Sequence, residues 1–384
     1  KNPPRINIDE TESVLKRLAR TWEDELLALL MTKYQAVLAN QLYRRYQHVF
    51  PSSYKDNYRP QDAVSDISLL ETLRQDAPLA VEVLPTEGRS ARFKLLQWNQ
   101  QLSLSRVMPI LESFGLKVLQ EQAFALLHED NCLWLHDFRT ELPEGLAKET
   151  FAQSLAYVRE GMQVLWQGGI EADVFNRLVT ILPCRWREAH IFRVLSAYLK
   201  QASFPLSPIA QAEALTRNPT IGRSLLELFQ ARFDPSVTTD RQERQSSILK
   251  RLEIALDKVQ SMADERVLRE FMTLILAVVR TNFYMPTAIA AQRVAFKFDS
   301  SALRILPDPN PWREVFVYSP DVMGLHLRFG EVARGGIRWS DRPEDFRTEV
   351  LGLVKSQQVK NAVIVPVGAK GAFIVRTVYG DKQE

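Results

Sequence analysis

Near the C-terminal end of the chain, Lys360 and Lys370 stand either side of the apolar run Ala362 to Pro366. The second lysine is enclosed by glycines in Pro366-Val367-Gly368-Ala369-Lys370-Gly371-Ala372, and the first opens Lys360-Asn361-Ala362. Upstream, Arg334-Gly335-Gly336-Ile337-Arg338 places two more cations around a glycine pair. Glycine has no Cβ, so backbone and ammonium can come close to a small bound molecule. The apolar run predicts a buried strand over Val363 to Pro366 that delivers Lys370, on a loop, to a cleft. Desolvation and neighbouring cations lower a lysine's pKa and make it usable as a base near neutral pH. Cations gathered at one loop repel each other unless a dianion joins them. A dicarboxylate fits, with one cation for each carboxylate and one lysine left to act at the α-carbon. A nucleotide-phosphate loop does not, since the G-x-x-x-x-G-K-[ST] pattern fails in glycine number, in spacing and at Gly371, where Ser or Thr should stand.

The ordered set G-G-I-R, K-N-A and P-x-G-A-K-G resembles the substrate half of glutamate dehydrogenases. The long chain before it resembles the large bacterial NAD-specific subfamily. The resemblance implies that Lys370 activates the water attacking an iminium intermediate. It implies too that Lys360 holds the substrate α-carboxylate and Arg334 pairs with the side-chain carboxylate. Gly335, Gly336, Arg338 and Gly368 complete the implied substrate-binding set. Arg334 is a departure, because the common hexameric enzymes use lysine there. The Lys360-to-Lys370 spacing is shorter than usual, and Ala372 replaces a glycine. The implied reaction is NAD-dependent oxidative deamination of L-glutamate to 2-oxoglutarate and ammonia, by a cytoplasmic homo-oligomer.

No G-x-G-x-x-G follows a strand, so NAD is expected on a domain absent from this chain, which reads as a fragment inactive alone. Two other readings compete. One is a regulatory or oligomerisation arm with no chemistry of its own. The other is a dehydrogenase of another amino acid, since leucine, phenylalanine and valine dehydrogenases share the lysine motifs.

With 384 residues, the chain has room for two or three domains with real cores. Its 49 basic and 46 acidic residues leave a net charge of +3, which argues against a broad nucleic-acid surface. No apolar run reaches bilayer-spanning length. Cys132 and Cys184 sit in apolar settings and read as small buried hydrophobes. His128, Cys132 and His136 flank Glu129-Asp130-Asn131 and read as strand-edge residues, so no metal is expected.

The elements that must position these residues predict a multidomain α+β or α/β chain. A helical lead-in covers 1–76, with a helix from Glu10 to about His48 on apolar three- and four-residue steps and a shorter one from Pro60 to Leu73. A ferredoxin-like module, which resembles an ACT-type module, covers 77–145. Its strands are Leu79 to Leu84 and Arg92 to Trp98, then a helix Ser103 to Phe114, then a hairpin of Lys117 to Leu127 with Cys132 to Phe138. A helical region covers 146–288 and includes one long helix from Gln242 to about Asn282. The truncated N-terminal part of a substrate-binding domain covers 289–384. It has strands Arg293 to Phe298, Arg313 to Tyr318 and Gly324 to Phe329, a loop Arg334 to Trp339, and a helix Arg342 to about Val359 that hands over to Lys360.

Overall fold

The computed structural model describes residues 20–74, 79–86, 88–128, 131–287, 293–360 and 367–376, with backbone alone at 128, 131 and 358–360. The chain divides into two compact units. The first takes residues 1–111 and 116–143; the second takes 112–115 and 144–384.

Four helices open the first unit: α1 (Trp22–Lys33), α2 (Ala36–Tyr46), α3 (Ser52–Asn57) and α4 (Pro60–Leu70). The single long helix expected from Glu10 is therefore two, as far as residues are described. Tyr34 and Gln35 both adopt extended backbone between α1 and α2. Thr21 starts α1 with a capping box to Asp24. The sheet follows: β1 (Leu79–Pro85), β2 (Ser90–Trp98), helix α5 (Leu104–Ser113), β3 (Lys117–His128) and β4 (Asn131–Glu141). Its order is β1-β2-β4-β3, antiparallel throughout. Strands β2 and β3, joined by α5, run in the same direction with β4 between them, which is the split βαβ core of a ferredoxin-like sheet. The outer strand next to β2 comes first in sequence, as β1. One face of this sheet carries Leu96, Phe124, Leu133 and Leu135 into a cluster with Leu26, Leu30, Leu42, Tyr54 and Ile67 of the helices.

The second unit begins with α6 (Lys148–Trp166), a 3-10 turn at Val174–Asn176, α7 (Arg177–Ile181), α8 (Trp186–Gln201), α9 (Pro208–Arg217) and α10 (Pro219–Phe233). The long helix expected over 242–282 is again two, α11 (Arg241–Leu256) and α12 (Met262–Ala277). Ser261 caps the second through Asp264 N–H, and a strand β5 (Val278–Thr281) follows it. Then come β6 (Val294–Asp299), β7 (Arg313–Tyr318), β8 (Val322–Arg328), the short β9 (Ala333–Arg334) and β10 (Ile337–Trp339), helix α13 (Phe346–Lys360) and β11 (Val367–Val375). Strand order is β10-β11-β8-β7-β6-β5, with β9 also on β11. β5 to β8 form an antiparallel meander, β11 joins β8 antiparallel, and β9 and β10 lie parallel to β11. Parallel neighbours need a crossover, and α13 is that crossover between β10 and β11.

Burial alternates cleanly along β6, β7 and β8. Phe296, Phe298, Phe316, Leu325 and Leu327 point into a core that includes Tyr198, which stacks on Phe298 with centroids 4.5 Å apart. Among the described residues no helix is long and apolar enough to cross a membrane.

Candidate functional site

Strand β11 is the axis of the site, and it corrects the sequence reading of Lys370. The lysine stands inside the strand, paired across to Leu327 of β8, and not on a loop after it. The strand expected over Val363 to Pro366 lies outside the described residues. Period-2 alternation puts Gly368, Lys370, Ala372 and Ile374 on one face, opposite Leu327, Leu325 and Met323. That is the core face, and Lys370 occupies it half-buried near the end where α13 ends. It makes no ion pair with a described residue.

The expected loop Arg334 to Trp339 is instead two short strands on the outer edge of β11. Arg334 is level with Gly368 and Arg338 with Ala372, so by register both arginines share the face of Lys370. Gly335 and Gly336 sit between them, and neither has a left-handed φ. Gly335 is required by proximity: a Cβ there would lie 1.3 Å from the Ala369 carbonyl oxygen. The Gly336 carbonyl accepts from Gly371 N–H at 3.0 Å, tying the two segments together.

Helix α13 covers this face, and the sequence reading missed how it is fixed. At its start, Arg347 makes a buried ion pair with Glu314 of β7, and Tyr198 donates to Glu314 Oε2 at 2.9 Å. Burial works against the Arg347 charge, yet Glu314 outweighs it and holds the guanidinium pKa above its ordinary value. Burial, reinforced by Glu314, pushes the Tyr198 phenol well up. In the same first turn, Glu349 accepts from Ser340 Oγ at 2.6 Å and pairs with Arg338 at 3.3 Å. Arg338 thus has a protein carboxylate as its partner. Toward the other end, Gln357 Nε2 donates to the Arg334 carbonyl at 3.0 Å. A Cβ on Gly368 would lie 2.9 Å from Gln357 Oε1, an oxygen that is buried without a hydrogen-bond partner among the described residues.

So the fold brings Arg334, Gly368 and Lys370 together against the last turns of α13. Lys360 is the final residue of that helix, and its side chain lies outside the described atoms. A helix C-terminus favours cations. Two cationic side chains on one sheet face, beside a helix end and glycine-bared backbone, can take the carboxylates of a small acid and leave an amine as base. Of the histidine–cysteine trio, His136 is buried and engaged, accepting from Leu102 N–H at 3.3 Å and facing Glu121 at 2.8 Å. Cys132 is a free thiol.

Residues 251–384 match the model of the bacterial NAD-glutamate dehydrogenase catalytic domain. Upstream, three further models match: glutamate dehydrogenase helical motif 3 over 170–235, ACT3 domain over 78–153 and helical motif 2 over 29–73. The chain belongs to the bacterial NAD-glutamate dehydrogenase family. An NAD-specific glutamate dehydrogenase of Halomonas elongata is 40% identical over 97% of this chain, which corresponds to 23% of that relative. Those of Pseudomonas aeruginosa and Mycobacterium tuberculosis are 39% and 36% identical, again over 97% of this chain and 24% of each relative. The chain therefore spans about a quarter of the length of these glutamate dehydrogenases. The ACT3 match falls on the split-βαβ sheet, and the catalytic-domain match contains the whole of the β5–β11 sheet.

Among the described residues nothing fits a dinucleotide. The sequence has no G-x-G-x-x-G, and the parallel strands β10 and β11 are joined by a helix whose entry, Asp341-Arg342-Pro343-Glu344-Asp345, holds no glycine.

Proposed function

We propose that this chain supplies the substrate side of an NAD-dependent glutamate dehydrogenase. The parent enzyme converts L-glutamate, water and NAD⁺ to 2-oxoglutarate, ammonium, NADH and a proton. The reading is supported most by one observation: Lys370 stands mid-strand on a core face, shared with Arg334, with no carboxylate partner among the described residues. A lysine in that setting is available to a ligand.

In this assignment Arg334 takes the side-chain carboxylate and Lys360 the α-carboxylate. Gly335, Gly336 and Gly368 let the substrate lie against bare backbone, while Arg338, engaged by Glu349, borders the site. Lys370 accepts the proton of the attacking water and returns it as the carbinolamine collapses and ammonia leaves. The charge-assisted contacts orient the α-carbon, which is the protein's main share of the work. The setting proposed for the parent is a cytoplasmic homo-oligomer, and sedimentation of the parent checks its assembly.

The test is L-glutamate-dependent reduction of NAD by the chain extended C-terminally past Glu384, beside the same protein with Lys370→Met. Activity that disappears in a folded mutant supports the assignment. Activity indifferent to Lys370 ends it.

A further inference from the structure

The first unit contains a cavity of about 430 Å³ lined by Tyr58, Arg59, Arg92, Gln120, Gln122 and Arg139, among others. Its floor is the polar end of the sheet face whose other end joins the hydrophobic cluster. Along that face the cross-strand rows run Leu96–Leu135–Phe124, then Lys94–Asp137–Gln122, then Arg92–Arg139–Gln120. The connection from α3 to α4, with Asn57, Tyr58, Arg59 and Asp62, also lines the space. A volume of this size suits a small metabolite.

Its charges are unevenly spent. Arg92 is bound by the buried Asp137 and also approaches Asp62 at 3.4 Å, while its guanidinium lies over the Tyr58 ring. Burial works against that charge, but Asp137 outweighs it, so Arg92 is held firmly cationic. The single Tyr58 hydroxyl lies within donating distance of Asp137 Oδ2 at 2.8 Å and of Gln122 Oε1 at 2.9 Å. Both aspartates are thereby engaged. Arg139 stands directly opposite Arg92 across the strand pair, and like charges so placed repel. Arg59 adds a third guanidinium. Neither Arg59 nor Arg139 has a carboxylate partner among the described residues. The β3 ladder shifts register between Val118 and Gln120, the kind of bulge that re-aims side chains beside a site, and Gln120 thereby comes level with Arg139.

We propose that this cavity binds a small dicarboxylate, Arg59 and Arg139 each taking one carboxylate and the Gln120 and Asn57 amides completing the contacts. The ligand supplies the carboxylates that Arg59 and Arg139 lack among the described residues. The site lies wholly within the first unit and does not depend on the dehydrogenase assignment.

Isothermal titration of the full chain with succinate, at fixed ionic strength, tests it. An Arg334→Gln, Lys360→Gln background removes the carboxylate contacts proposed for the β11 site. One-to-one binding is expected, weakened about tenfold or more by Arg139→Gln and by Arg59→Gln, since each removes a charge-assisted pair. Arg44→Gln on helix α2, a matched loss of charge elsewhere, should leave it unchanged. Gln120→Ala, a milder change in the same wall, should weaken it too if either arginine variant folds poorly. Succinate binding that survives the double arginine variant overturns the proposal, as does no binding at millimolar succinate. So does inorganic phosphate binding where succinate does not.

Discussion

Two lysines of this chain occupy the same kind of position and have opposite fates. Lys94 is in the middle of β2 and Lys370 in the middle of β11, each on the core face of its sheet. Lys94 is fully buried, 2.5 Å from Asp66, which is itself fully buried and accepts from the Tyr54 hydroxyl. Lys370 is half-buried and faces no described carboxylate. Taking a charge out of water is expensive, and inside a fold the cost is met by a partner. Lys94 has its partner built in, so its role ends with the fold. Lys370 has none among the described residues, which is what its proposed role requires. Position on a strand does not separate these two lysines; the state of the partner does.

Substitution of each lysine by methionine is the sharpest way to break this comparison. Lys370→Met should lower glutamate-dependent NAD reduction by the extended chain by roughly 10²–10⁴-fold, the range for loss of a positioned acid–base group. Its unfolding free energy should change by under about 1 kcal/mol, which urea titration measures. Lys94→Met should do the reverse within the first unit, costing about 3–5 kcal/mol because Asp66 is left as an uncompensated buried charge. Equal stability losses for the two variants would abolish the distinction.

The edge of the second sheet offers a smaller perturbation. Gly335→Ala drives a methyl into the Ala369 carbonyl and must push β9 and β10 away from the strand that carries Lys370. A cost of about 1–3 kcal/mol is expected, with loss of turnover in the extended chain. Retention of full activity would show that the glycine edge does not set the position of the lysine.

Protonation gives the finest discrimination. Burial drives the Asp66 pKa up, against the pull of Lys94. Once Lys94 is gone, that carboxyl sheds its charge more readily as pH falls, so the Lys94→Met penalty should be smaller at pH 5 than at pH 8. The parent chain moves the other way. Burial, with Arg193, Arg187 and Arg376 nearby, holds the His190 pKa well below 6.5. Below that pH only the unfolded chain takes up this proton, so the unfolded state binds more protons and stability falls by up to about 1.4 kcal/mol per pH unit. Urea midpoints of the second-unit transition at pH 7.5, 6.5 and 5.5 measure it, and a flat profile would contradict the burial of a neutral His190.

Much of the fold was legible because alternation and helical stripes are local signals. The strands 79–84, 92–98 and 313–318 were placed to within a residue or two. Helix breaks were misread where no glycine or proline marks them: Tyr34-Gln35 and Asp257 to Ser261 interrupt apolar three- and four-residue steps that continue on both sides. At the candidate site the motifs fall on β9, β10 and β11, where glycines suggest loop in the sequence and the structure has strands. Gly335 and Gly368 instead sit in or beside strands where a neighbour comes too close for a Cβ. The buried ion pairs were illegible for another reason. Glu314 with Arg347 and Lys94 with Asp66 are pairs far apart in sequence, and no periodicity announces them.

The uneven fastening of α13 has a mechanical consequence. Its first turn is bolted to β7 through Arg347 and Glu314 and to the end of β10 through Glu349, whereas the turn before Lys360 is held to β9 by the amide of Gln357. A rod clamped at one end moves most at the other. Amide hydrogens near Val350 should therefore exchange orders of magnitude more slowly than those around Gln357. The described part of the helix then works as a lever that pivots on β7, with Gln357 at its more yielding end.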